Sequence, residues 1–112
     1  MARVNSGIDE MNIALDNAKA EKKHLEKKLA DVEDRIIKHE KAIVRLDRLL
    51  IKMCYDEDED ESIKDGLKKS TMMYKTLDKL IKEMNTLREK IKINNHLLDV
   101  IIDYNNHYIY SG

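Results

Sequence analysis

The chain has no Pro, no Trp and no Phe, and only three Gly in 112 residues. Tight turns draw on Gly and Pro for their special dihedrals. A sheet needs a turn for nearly every strand, so this shortage excludes one. Cysteine is almost absent too. Cys54 stands alone, which rules out an intrachain disulfide and fits a reducing compartment. No apolar run approaches the ~18 residues needed to span a membrane. The opening "MARVNSGIDE" lacks the apolar core of a signal peptide. A soluble, cytoplasmic protein is expected, in the host cytoplasm if the source is viral. The abundance of Lys, Ile, Asn and Asp would suit an AT-rich genome such as a phage's.

What remains is charged (38%) and aliphatic, within a hydrophobic fraction of 42%. That mixture builds long helices and coiled coils. The net charge of −1 hides a segregation. Residues 1–55 carry 12 basic and 10 acidic side chains, residues 56–61 are six acids in a row, and residues 62–112 carry 9 basic and 6 acidic. A near-neutral total argues against a nucleic-acid binder, whose phosphate contacts need a basic surplus.

Apolar residues in the first half alternate by three and four. The series runs Ile8, Met11, Leu15, Ala18, Lys22, Leu25, Leu29, Val32, Ile36, His39, Ile43, Leu46, Leu50, Met53. A mean step of 3.5 keeps one stripe against a partner helix. The second half repeats the pattern one residue out of frame, at Ser70, Met73, Leu77, Leu80, Met84, Leu87, Ile91, Asn94, Leu98, Ile101, Asn105 and Tyr108. The frame shift falls on the acidic run. Ser62 and Asp65 have the form of a capping box there, as Ser6 and Asp9 do near the start. The pattern predicts an all-α fold: an antiparallel two-helix hairpin of coiled-coil type, in one domain. Helix 1 is expected over about 7–54, an acidic turn over 55–62, helix 2 over about 63–106, and then a short tail. Folding the arms together predicts Leu50 against Leu67, Val32 against Met84, and Lys22 against Asn94 or Asn95 as a polar register layer.

Each arm carries more apolar surface than one seam uses. Helix 1 adds Ala30, Ile37, Val44 and Ile51, spaced by seven, and helix 2 adds Tyr74, Ile81, Ile102 and Ile109. Wide apolar faces belong to bundles. A twofold homodimer forming a four-helix bundle would cover them. Its interface is expected at Ile37, Val44, Ile51, Tyr74 and Ile81.

Several motifs invite chemistry. The run Asp56, Glu57, Asp58, Glu59, Asp60, Glu61 fails as a calcium loop, because the sixth position from Asp56 is Glu61, not Gly, and the twelfth is Leu67. It reads as a solvated turn favoured by the N-terminal dipole of helix 2, or as a charged tip for a basic partner surface. Glu21 and His24 have a di-iron spacing but lie off the seam, with no matching pair in helix 2. His39 on the seam is expected to be a hydrogen-bonded core histidine. The segment from Ile93 to Gly112 has no Lys or Arg, and Tyr104, His107, Tyr108 and Tyr110 make it a candidate contact tail. Alternatively Tyr104 and Tyr108 close the open end of the bundle against Ile8 and Met11.

No glycine-rich phosphate loop or nucleophile–base pair is present in the pattern, so catalytic, metal and cofactor sites are all expected to be absent. The leading function is a structural or adaptor coiled coil binding itself or another protein. The alternative is a small phage-type inhibitor of a host defence or nucleic-acid-handling protein, its acidic tip mimicking nucleic acid.

Overall fold

The computed structural model describes residues 2–57 and 60–110, with side chains placed for 9–57 and 60–107. Two helices make an antiparallel hairpin: α1 (Ala2–Tyr55, 54 residues) and α2 (Asp60–Tyr110, 51 residues). Among the described residues there is no strand. None of the described helical segments is long and apolar enough to cross a membrane.

Both helices overrun their expected ends. Ser6 lies inside α1, which begins at Ala2, so it does not cap the helix. Nothing among residues 2–5 breaks a helix, and Gly7 inside one costs only about 1 kcal/mol relative to Ala. Ser62 is the third residue of α2 rather than its cap, because Asp60 and Glu61 already occupy the first turn. Acids there lie at the positive end of the helix dipole. At the other end α2 runs to Tyr110, so residues 107–110 are helical and not a short tail. No Pro or Gly interrupts that stretch before Gly112. The turn is correspondingly short. The Asp56 N–H donates to the Lys52 carbonyl at 2.9 Å, and Glu57 takes a left-handed φ of 55°. A left-handed residue just past the last turn is a common way to end a helix.

The chain divides into two compact units: a turn unit, Ala30–Asn85, and a terminal unit, Met1–Leu29 with Thr86–Gly112. In the turn unit α1 buries Val32, Ile36, Ile43 and Leu50, with His39, Leu46 and Met53 half-buried. Facing them on α2 are buried Ser70 and half-buried Ile63, Gly66, Met73, Leu77, Leu80 and Met84. The three-four spacing continues to Gly66 and Ile63, which corrects the expected register. Leu50 packs on Gly66, so tightly that a methyl group there would strike its Cδ2. Leu67, the expected partner, is 53% exposed, because it stands one residue, about 100° of helix, off the seam.

In the terminal unit Ala18, Leu25, Leu87 and Leu98 form the buried layer. Asn94 is buried among them and its Nδ2 donates to the Ala18 carbonyl at 3.1 Å. The expected layer set this amide against Lys22, yet its bond goes to the backbone. A fixed carbonyl close to the seam binds without the entropy cost of ordering a lysine. Next to it, Asn95 keeps a buried Oδ1 with no hydrogen-bond partner.

Candidate protein-interaction face

The geometry of the turn unit is set by three side-chain hydrogen bonds. His39 Nε2 lies 2.7 Å from the Met73 carbonyl oxygen. A carbonyl only accepts, so Nε2 carries the proton. The seam histidine is thus a cross-helix tie. Asp47 uses both carboxylate oxygens: Ser70 Oγ donates to Oδ1 at 3.0 Å and the Tyr74 hydroxyl donates to Oδ2 at 2.8 Å. The hydrogen bond to Asp47, and then that carboxylate's charge, push the Tyr74 hydroxyl above its ordinary value near 10.

This clamp draws one flank of α1 against one flank of α2. Heptad spacing carries the match along both helices. Val44 and Ile37 precede Ile51 by seven and fourteen residues on α1, and Tyr74 and Ile81 follow Leu67 by seven and fourteen on α2, which gives three rungs of matched positions. The rung at the turn is directly visible as a shallow groove lined by Asp47, Leu50, Ile51, Cys54, Tyr55 and Leu67. A second groove on the outer side of α1 is lined by Ile37, Glu40, Lys41, Val44, Arg45 and Arg48. Ile37 is 52% exposed, Val44 46%, Ile51 57% and Tyr74 48%, while Ile81 is half-buried. Of the five residues expected at an oligomer interface, four are thus exposed and Ile81 is half-buried, on stripes spaced by seven along each helix. Leu67 joins them. Its place at seven before Tyr74 and fourteen before Ile81 signalled this in the sequence, but assigning it to the seam hid the pattern.

The charges around the face follow from the same stripe. Earlier on α1, bases find an acid one turn back: Asp31 with Arg35 at 3.2 Å and Asp34 with Lys38 at 2.9 Å. The second pair raises the ordinary Lys38 value, through the hydrogen bond to Asp34 first. Further along α1, the position four before Lys41 is Ile37, and that before Arg48 is Val44, so neither base has an acid one turn back. Among the described residues, Lys41, Arg45, Arg48, Lys68 and Lys75 are exposed and have no ion-pair partner.

The other expected sites are placed as follows. Asp56, Glu57, Asp60 and Glu61 of the acidic run are exposed, while Asp58 and Glu59 lie outside the described residues. Cys54 is exposed and free. Glu21 and His24 are both exposed, and among the described residues no group of three or more His, Cys, Asp or Glu could hold a metal ion. Tyr104 is 54% exposed and His107 is exposed. Tyr108 and Tyr110 are helical, but their side chains lie outside the described set, as does that of Ile8. The terminal unit carries a stripe that sequence reading missed: Ile93, Leu97, Val100 and Tyr104, all about half exposed or more. Its steps of four, three and four are a helical-face signal. No family model matches the chain, and neither the curated proteins nor the solved structures give a match.

Proposed function

We propose that this protein is a non-enzymatic protein–protein interaction module, a structural or adaptor helical hairpin. Its working surface is the three-rung face of the turn unit. The observation that carries this reading is the exposure of Ile37, Val44, Ile51, Leu67 and Tyr74 on the turn unit, with Ile37 and Val44 lining one groove and Ile51 and Leu67 another. Exposed apolar surface of this kind on a small chain marks an interface. A homodimer packing as a four-helix bundle is one assembly that would cover it, and a helix of another protein is the other. The test is a pair of substitutions, Val44→Glu and Tyr74→Glu, compared with Lys92→Glu as a surface control. The module reading expects the first two to abolish association with itself or with a partner while leaving helicity intact. If all three variants behave as wild type in sedimentation and binding, the reading fails.

The acidic turn supports a second reading, an inhibitor that presents Asp56, Glu57, Asp60 and Glu61 to a basic site in place of nucleic acid. Their exposure favours it. Neutralising Asp56 and Asp60 to Asn should then remove binding and its salt dependence together.

A further inference from the structure

The rims of the three-rung face narrow what can lie on it. On the α1 side the stripe is bordered by Lys41 and Arg48, with Arg45 beyond them. On the α2 side Lys68 and Lys75 each follow a rung residue, Leu67 and Tyr74. All five bases are exposed and lack ion-pair partners among the described residues. Against them stand exposed Glu40 within the face and Asp78 on the α2 side, with exposed Asp60 and Glu61 where α2 begins. Asp47 lies in the middle of the face, but both its oxygens are engaged by Ser70 and Tyr74. The surface is an apolar strip with a basic border on each side.

A second copy docked in register through the same rungs does not complement this pattern. A twofold axis lying in the interface sets α1 of one copy on either α1 or α2 of the other. In the first case Lys41 and Arg48 face the same bases. In the second they face Lys68 and Lys75. Juxtaposed like charges oppose docking and select against that partner. A helix with an apolar stripe and acid on both flanks fits instead. Its stripe would cover the rungs and its carboxylates would meet both borders, the helix-in-groove mode of recognition.

Resting on the module reading, we propose that the turn-unit face receives an acidic amphipathic helix of another protein rather than a second copy. The test uses two synthetic helical peptides with the same leucine stripe, one flanked by Glu and Asp, the other by Lys and Arg. Binding is followed by fluorescence anisotropy at low and high salt, with sedimentation equilibrium of the protein alone. The acidic peptide should bind at least about tenfold more tightly than the basic one, and its affinity should fall as salt screens the borders. The double variant Lys41→Gln/Arg48→Gln should weaken the acidic peptide about tenfold and flatten the salt dependence. Val44→Glu should abolish binding, with an unchanged helical spectrum as the folding control.

Equal or tighter binding of the basic peptide overturns the proposal and leaves the module reading standing. So does a micromolar dimer that Val44→Glu dissociates, because the second copy is then the occupant. Absence of both peptide binding and self-association overturns the proposal and the module reading together.

Discussion

Replacing Gly66 by Ala sets two opposing terms against each other, and the structure says which should win. Gly66 lies inside α2, where exchanging Gly for Ala gains about 1 kcal/mol of helix propensity. The new methyl, however, points into Leu50, which is only 6% exposed, and would strike its Cδ2. Overpacking of this kind typically costs about 1–3 kcal/mol. Gly66→Ala should therefore be neutral or destabilise the protein by up to about 2 kcal/mol. Leu50→Ala alone should cost about 2–3 kcal/mol, the low end for a buried leucine, because the groove beside it can relax. In the Leu50→Ala background the obstacle is gone. Gly66→Ala should then stabilise by about 1 kcal/mol, giving a coupling of about 1–3 kcal/mol across the double-mutant cycle. Urea unfolding followed by circular dichroism at 222 nm reads all four proteins. A Gly66→Ala protein that is about 1 kcal/mol more stable than wild type, with no coupling to Leu50, would refute the register.

Asn95→Ala should be neutral or stabilising by about 1 kcal/mol in the same assay, because its buried Oδ1 has no partner to lose. A cost above ~2 kcal/mol would mean the oxygen is satisfied. Asn94→Ala should instead cost about 1–2 kcal/mol, since it removes the bond to the Ala18 carbonyl and leaves a void. Tyr74 should titrate above an ordinary tyrosine when followed by its ultraviolet absorbance, and Asp47→Asn should bring the midpoint down. The sign follows from the bond: the neutral hydroxyl donates to the carboxylate, so its stabilisation is present below pH 10 and lost as pH rises through the raised folded value. His39→Ala should destabilise by about 1–2 kcal/mol by deleting the tie to Met73, and His39→Gln should recover part of that.

The helices and the seam were legible because aliphatic side chains recur at a step of 3.5 and nothing in the composition permits another fold. From Met11 to Met53 and from Ser70 to Asn105 the expected seam residues are buried or half-buried. The helix ends were less legible. Ser6 and Ser62 have the letters of a cap, but a helix continues through such residues when the flanking chain is equally able to form one. The register went wrong at Leu67 because matching apolar to apolar overlooks a glycine that receives a leucine. Asn94 illustrates a related limit: side-chain pairs can be read from a sequence, whereas a backbone carbonyl offers no letter to match. The proposed interaction face was visible as two stripes spaced by seven, since its residues lie one step off each seam. Its basic borders were not, because the mixed-charge helix looked evenly balanced until ion pairs could be told from unpaired bases.

If the three-rung face of the turn unit is the binding surface, the acidic amphipathic peptide should slow amide hydrogen exchange of the intact chain only at about residues 37–51 and 67–81, with no change at 19–28 or 86–104. Protection centred on Ile93 to Tyr104, or spread evenly over both helices, would contradict it.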